Sequence, residues 1–131
     1  DTVLGPEYYT PEKEKKVYKE IRRQAKQVLM AGYPVILDAL FYDEKERLLA
    51  QELAERNHVP FVGLWMEAPL VVRAKRVKTR QNNPSDVKTL EALEAQLNEL
   101  NPGKITWTHI LTDNDRDVTI KKVMRTLKKS V

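Results

Sequence analysis

Two groups of side chains in this sequence could act on a phosphate-bearing molecule, and the first contains a single carboxylate. Asp38 directly follows the apolar run Val35-Ile36-Leu37, where a carboxylate costs desolvation energy unless it has a partner. A metal ion or a water molecule near phosphates would supply that partner. The alternative is that Asp38 caps a helix or makes a local hydrogen bond within a loop.

The second group consists of three arginines. Arg73, Arg76 and Arg80 are spaced by three and four residues, so on a helix they share one face. Guanidinium groups on one face repel each other unless anions lie nearby, and arginine is suited to planar, bidentate contact with phosphate. The helix leads into a polar loop at 82–88, which is typical of a lid over a nucleotide. The alternative is an exposed amphipathic helix whose arginines pair with glutamates of the next helix.

The elements that would position these residues alternate between helices and strands. Hydrophobic periodicity and capping residues predict buried strands at 34–39, 60–66 and 108–112, with helices before, between and after them. Such alternation predicts an α/β domain in which helices cover both faces of a parallel sheet, a three-layer αβα arrangement. Ligands of such sheets bind beyond the carboxyl ends of the strands. Asp38, Glu67 and the stretch 112–115 lie at these ends.

Length and composition narrow the class of protein. With 131 residues the chain fits one domain over 1–131. It has no apolar run near 18 residues and no basic start before an apolar stretch, which predicts neither a membrane span nor a secretory signal. The absence of cysteine excludes a thiolate zinc site and a disulfide scaffold, and it predicts a cytoplasmic protein. The net charge is only +4, and the 7% aromatic residues do not alternate with Lys/Arg, which argues against nucleic-acid binding.

The order of these motifs resembles the middle and end of a P-loop kinase. The similarity begins at about Tyr9 and extends to the C-terminus. The stretches that carry it are Tyr18–Leu29, Gly32–Phe41, Glu46-Arg47, Pro60–Trp65, Pro69, Arg73, Arg76–Arg80 and Ser85-Asp86. Together they resemble the bacterial AAA-family ATPase or kinase-like domains, relatives of gluconate kinase, adenylate kinase and zeta-toxin kinases. Those domains occur alone or fused behind an aminoglycoside-phosphotransferase-like domain.

The resemblance implies an ATP-dependent phosphotransferase that acts on a small molecule or a nucleotide, with ATP and Mg²⁺ as cofactors. Asp38 resembles the acidic residue that ends the Walker-B-like strand of these relatives. There it orders the magnesium ion through water or helps to position the phosphoryl acceptor. Phosphoryl transfer depends mainly on positioning and charge neutralisation, which a carboxylate for the metal and arginines for the phosphates would supply.

The resemblance also assigns roles to the residues that would contact ATP. Arg80 resembles the lid arginine that reaches the transferring phosphate, and is therefore expected to be catalytic. Arg76 resembles the lid-helix arginine that stacks on adenine, and Arg73 would join the same nucleotide-binding face. Asn114 and Asp115 correspond, by position only, to the loop that passes the adenine edge in adenylate kinase.

One departure from the family pattern is large, because the sequence lacks the phosphate-binding loop G-x-x-x-x-G-K-[ST]. Its four glycines, Gly5, Gly32, Gly63 and Gly103, are too far apart to form one. The resemblance implies that the first strand, this loop and its helix either precede Asp1 or have been lost. A central strand of the sheet would then be missing, and a segment outside this numbering or a second chain would fill the gap. The missing loop leaves open a non-catalytic α/β module that binds a nucleotide or a partner through its basic face.

Overall fold

The computed structural model describes residues 10–68, 101–113 and 115–130. Their elements, in chain order, are α1 (Pro11–Met30), α2 (Glu44–Arg56), β1 (Leu64–Glu67), β2 (Thr108–Leu111) and α3 (Arg116–Ser130). The chain divides into two compact units, Asp1–Val59 and Pro60–Val131. Helices combined with a small parallel sheet confirm the α/β class, whereas the three layers, the missing strand and the single domain stay predictions.

Helix α1 begins and ends where its capping residues predict. The hydroxyl of Thr10 accepts a hydrogen bond from the backbone N–H of Lys13 at 3.3 Å, which satisfies one of the donors that the first turn leaves unpaired. Pro11 occupies the first turn, where its missing N–H costs nothing. Beyond Met30 the chain turns at Gly32, whose φ of +88° lies in the left-handed region that favours glycine.

Helix α2 is also delimited by local signals. The carboxylate of Asp43 accepts a hydrogen bond from the backbone N–H of Lys45 at 3.0 Å, so Asp43 is the N-cap of this helix. Arg56 is the last helical residue, and the side-chain amide of Asn57 donates to the carbonyl of Leu53 at 2.7 Å. His58 then adopts a φ of +55°, so the helix cannot continue.

The first unit packs α1 against α2 through small side chains. Ala25 of α1 and Ala50 and Ala54 of α2 are buried, and alanine lets two helices approach closely because it extends little beyond the backbone. Two charged residues of the first turn of α2, Glu46 and Arg47, are buried as well. A buried charge requires a partner: Glu46 pairs with Arg22 of α1, and Arg47 donates to backbone carbonyls in the connection between the two helices.

The predicted strand at 34–39 is not formed. No residue between 33 and 43 has strand pairing within the described part of the chain. Val35 and Leu37 are half-buried, whereas Ile36 is 93% exposed and Leu40 is 66% exposed. One side of the segment is therefore partly covered and the other side faces water. The segment forms no strand because a strand requires a neighbouring backbone to accept and donate its hydrogen bonds.

The second unit contains a two-stranded parallel sheet. Strands β1 and β2 pair with Leu64 opposite Thr108 and Glu67 opposite Leu111, so the predicted strands at 60–66 and 108–112 are confirmed, the first in part. Ile110 is the buried residue of β2. Helix α3 packs on β2, and the ammonium group of Lys122 donates to the carbonyl of Leu111 at 2.9 Å.

The approach to the sheet depends on one glycine. The backbone N–H of Thr108 donates to the carbonyl of Gly63 at 3.0 Å. The indole ring of Trp107 lies so close to Gly63 that a β-carbon there would come within 2.3 Å of the ring. The ring also packs against Phe61, with ring centroids 5.6 Å apart. Glycine at position 63 therefore provides the space for the tryptophan.

Candidate functional site

Asp38 lies in the first unit, on the exposed side of the segment 34–40. Within the part of the chain that the structure describes, its carboxylate forms no hydrogen bond and no ion pair. The expected desolvation is therefore wrong for this structure, because Asp38 is exposed and the segment has no strand neighbour among the described residues. The cap of α2 is Asp43, which also excludes the alternative that Asp38 caps this helix.

The chain after Asp38 makes a tightly held corner at Phe41 and Tyr42. The guanidinium of Arg47 donates from one nitrogen, Nη1, to the carbonyl of Phe41 at 2.8 Å and to that of Tyr42 at 3.1 Å. The backbone N–H of Phe41 donates to the hydroxyl of Tyr18 at 3.0 Å. Phe41 is buried, and its ring meets that of Tyr18 edge-on at 5.3 Å. Both the backbone and the side chain of the corner are thus fixed.

A partly buried ion pair lies beside this corner. The guanidinium of Arg22 on α1 pairs with the carboxylate of Glu46 on α2. Tyr18 and Arg22 are four residues apart, so they share one face of α1. Burial raises the pKa of Tyr18, against the lowering effect of its hydrogen bond from Phe41, and the carboxylates of Glu14, Glu46 and Asp43 raise it further. The hydroxyl of Tyr18 therefore stays neutral at physiological pH.

A second group of polar side chains stands at the carboxyl end of β1 and β2. Nδ1 of His109 lies 3.1 Å from a carboxylate oxygen of Glu67. His109 pairs in register with Trp65, and side chains two residues apart on a strand share one face. The hydroxyl of Thr112 donates to the carbonyl of Glu67 at 2.9 Å. Both members of the His109–Glu67 pair are about half exposed, with relative side-chain areas of 50% and 47%.

Of the residues predicted to contact ATP, only Asp115 is described. Its carboxylate accepts a hydrogen bond from the backbone N–H of Val118 at 3.0 Å, so it caps α3. Its role at the adenine stays a prediction. The other four predicted nucleotide-contacting residues lie outside the described residues, as does the loop 82–88: Arg73, Arg76, Arg80 and Asn114.

The corner at Phe41 and Tyr42 is a feature that the sequence did not predict. Phe41 and Tyr18 are 23 residues apart, and no local pattern shows that they meet. One signal of the corner was available in the sequence. Arg22 lies one helical turn after Tyr18, and it is a charged residue on an otherwise apolar helix face. The His109–Glu67 pair could not be predicted either, since the two residues are 42 positions apart and meet only through the register of the two strands.

The described residues contain neither a cluster of metal-binding side chains nor a helix that could cross a membrane. Among residues 10–68, 101–113 and 115–130, no three histidine, aspartate or glutamate side chains cluster closely enough to hold a metal ion. None of the helices α1 to α3 is sufficiently long and apolar to cross a membrane.

Comparison with known proteins identifies the family. The sequence model described as the AAA domain matches residues 3–102. The chain belongs to the AAA domain family. This confirms the resemblance to P-loop kinases and AAA-family ATP-binding domains that the motifs between Tyr9 and Ser85 indicated.

Several proteins are similar to this AAA domain chain. Over 70 residues it is 36% identical to an uncharacterised protein of Mycobacterium tuberculosis and, equally, to one of Mycobacterium bovis, a match that covers 53% of this chain and 14% of each relative. Over 88 residues it is 30% identical to the cytidylate kinase of Methanocaldococcus jannaschii, which covers 67% of this chain and 45% of that enzyme. The chain thus spans less than half the length of these relatives. No solved structure matches it.

Proposed function

We propose that this chain is the larger part of an ATP-dependent phosphotransferase that acts on a small molecule or a nucleotide. The observation that carries the proposal is the exposed carboxylate of Asp38, which is free of other described groups and follows the apolar run of a kinase-like AAA domain. The similarity to a cytidylate kinase supports a nucleotide or a related small molecule as the phosphoryl acceptor.

The proposed roles follow from what phosphoryl transfer requires. Mg²⁺, when bound, would neutralise charge on the phosphates. A lone exposed carboxylate fits a hard cation that keeps its own water shell, so Asp38 would bind those waters or position the acceptor. Arg80 would neutralise the transferring phosphoryl group. The remaining proposed ATP contacts are Arg73, Arg76, Asn114 and Asp115.

Completion of the sheet is part of the same proposal. The backbone of residues 34–40 has no strand neighbour in the described chain, and the exposed side chains of Ile36 and Leu40 flank Asp38. A strand from outside this numbering, or from a second chain, would pair with this segment and cover both apolar side chains. That strand would come with the phosphate-binding loop, and the protein would act in the cytoplasm.

Asp38→Asn tests the proposed role of the carboxylate. The variant keeps the size of the side chain but loses the charge. Mutation of a residue that holds a metal's ligands in place typically lowers activity by about 10–100-fold. We expect phosphoryl transfer by the protein with its phosphate-binding loop to fall by about 10–100-fold at saturating Mg²⁺. The melting temperature should not change, because the Asp38 carboxylate bonds to no described group.

Asp43→Asn is the matched control. It makes the same chemical change five residues away, and asparagine caps a helix about as well as aspartate, so the rate and the melting temperature should both stay near the parent values. An Asp38→Asn variant that is as active as its parent would remove Asp38 from the site.

A second function, a non-catalytic module that binds a nucleotide or a partner, is favoured by one observation. The 131 residues contain no G-x-x-x-x-G-K-[ST] motif. Calorimetric titration with ATP and an assay of ATP turnover on the same protein separate the two functions. Binding without turnover favours the module, and turnover that depends on Asp38 favours the enzyme.

A further inference from the structure

The corner that follows Asp38 is unusual because its central residue is not a glycine. Phe41 has a φ of +48°, in the left-handed region that costs a bulky residue free energy. Such a conformation persists only where the surrounding structure holds it. Here the hydroxyl of Tyr18 accepts from the N–H of Phe41, and the guanidinium of Arg47 donates to its carbonyl.

We infer that Arg47, together with Tyr18, is a positioning residue that fixes the direction in which the chain presents Asp38. This inference rests on the proposed function, which gives Asp38 its task. Arg47 is only 3% exposed, and its guanidinium already donates to two backbone carbonyls. A side chain that is buried and bonded in this way shapes the corner rather than contacting a ligand.

The link from the corner to Asp38 is short. Three peptide units separate Asp38 from Phe41, so their α-carbons are at most about 11 Å apart. Asp38, Ala39 and Leu40 are all exposed, whereas Phe41 is buried at 5% exposure. Phe41 is therefore the first firm anchor after the carboxylate, and a rotation of its backbone would move Asp38 by several ångströms.

The side chains that form the corner are held in turn by both helices. Tyr18 comes from α1, and Arg47 comes from the first turn of α2. The partly buried pair between Arg22 and Glu46 joins the same two helices, one turn further along α1 from Tyr18. Both bonds come from one nitrogen of the rigid, planar guanidinium, whereas a lysine ammonium group sits on a flexible stem. Lysine at position 47 would therefore keep the charge but hold the two carbonyls less firmly.

Two variants with one control test the inference in the full protein. Arg47→Lys disturbs the carbonyl side of the corner, and Tyr18→Phe removes the acceptor for the N–H of Phe41. Arg56→Lys is the control, because Arg56 lies on the same helix with its side chain 80% exposed. The measurements are ¹⁵N backbone order parameters for residues 38–40, kcat and KM for ATP, and the melting temperature.

We expect the order parameters of residues 38–40 to fall below about 0.6, the range of flexible backbone, in Arg47→Lys and in Tyr18→Phe. The value of kcat should fall by about 10–100-fold while KM for ATP stays within about twofold, because a displaced group affects the reacting geometry more than nucleotide binding. Arg56→Lys should change none of these quantities. If Arg47→Lys does not fold, Tyr18→Phe provides the same test.

The failures of the two proposals are distinguishable. Order parameters at 38–40 that stay at the parent values in both variants would overturn the positioning role, whatever the parent's activity. Lowered order parameters with an unchanged kcat in an active parent would overturn it as well. A parent protein that transfers no phosphoryl group would overturn the proposed function, and the order parameters would still decide whether the corner holds the Asp38 segment.

Discussion

Two runs of this chain are both apolar but have different structures. Leu64-Trp65-Met66 forms a strand because β2 lies beside it, residue for residue in parallel register. Val35-Ile36-Leu37 has a composition at least as typical of strands, yet it has no strand neighbour in the described chain. The side chains reflect this, since Ile110 of β2 is 4% exposed and Ile36 is 93% exposed.

The difference shows that an apolar β-branched run specifies a tendency, and that a neighbouring backbone decides whether it becomes a strand. An exposed run of this kind is also a site for association, because unpaired N–H and C=O groups attract another strand. Residues 34–40 would therefore acquire strand structure when a partner strand is present, and this is the central requirement of the proposed function.

The largest expected effect on stability comes from truncating Ile110, and Ile36 provides the matched control. Ile110→Ala removes buried methyl groups and should lower the free energy of unfolding of the second unit by about 2–5 kcal/mol. Urea denaturation followed by tryptophan fluorescence measures this directly, because Trp65 and Trp107, the only two tryptophans, both lie in that unit. Ile36→Ala in this chain is the matched control and should change stability little, since its side chain is already in water.

The same two variants test whether a neighbouring strand accounts for the difference between the two apolar runs. If a longer protein supplies a strand that pairs with residues 34–40, as the proposed function requires, Ile36 would be covered, and Ile36→Ala should become as costly as Ile110→Ala. Circular dichroism gives the readout for the first unit, which contains no tryptophan. A longer protein in which Ile36→Ala still costs nothing would argue that no strand covers this segment.

A smaller effect is expected from Gly63→Ala, at the entrance to the paired strand. The new methyl group would meet the ring of Trp107 at 2.3–2.5 Å, so the ring must move away from Phe61. Overpacking of this kind typically costs about 1–3 kcal/mol. We expect a lower urea midpoint and a shift of the tryptophan emission as the indole enters a new environment.

Gly32→Ala is the control for Gly63→Ala, because it has no atom within 4 Å but a φ of +88°. It should destabilise through the backbone by about 1–2 kcal/mol without any change in tryptophan emission. An emission shift in both variants, or in neither, would show that contact with Trp107 is not what requires glycine at position 63.

How much the sequence could predict follows from the range of each interaction. The first residues of α1 and α2 were predictable, because Thr10 and Asp43 cap the helices by accepting hydrogen bonds from backbone N–H groups within three residues. The unpaired state of residues 34–40 in the described chain was not predictable, because strand formation depends on a neighbouring backbone that local sequence does not reveal. The corner at Phe41 was not predictable either, since the partners that hold it come from two helices.

The roles of the predicted site residues depend on contacts of longer range than local sequence reveals. Asp38 could be selected from its position after an apolar run, and the structure adds that its carboxylate is exposed and bonds to no other described group. The arginines were selected from their helical spacing, which local sequence reveals, but their meeting with a phosphate would depend on distant parts of the chain. Sequence periodicity alone cannot supply that geometry.

The smallest expected effect on stability comes from an ion pair on α1 that is largely exposed to water. Glu20 and Arg23 lie one turn apart on α1, with Nε of Arg23 donating to the carboxylate at 2.8 Å. The hydrogen bond from Arg23, with a second from Gln24, lowers the pKa of Glu20 to about 2. A carboxyl whose pKa is lower in the folded than in the unfolded chain stabilises the fold above its unfolded pKa, and the contribution is lost as pH falls from about 4.5 to about 2.

Glu20→Gln should therefore lower the melting temperature slightly at pH 7 and low salt, and not at all near pH 2, where the parent's carboxyl is itself becoming protonated. The effect should be small because both side chains are half exposed and water screens the pair. About 1 M salt should remove the difference at pH 7, because the screening length falls to about 3 Å. Glu52→Gln is the matched control, since Glu52 faces Arg56 at 3.8 Å on an exposed helix surface, and it should have a still smaller effect. A difference between Glu20→Gln and its parent that persists in high salt or grows at acidic pH would mean that Glu20 stabilises α1 through something other than its charge.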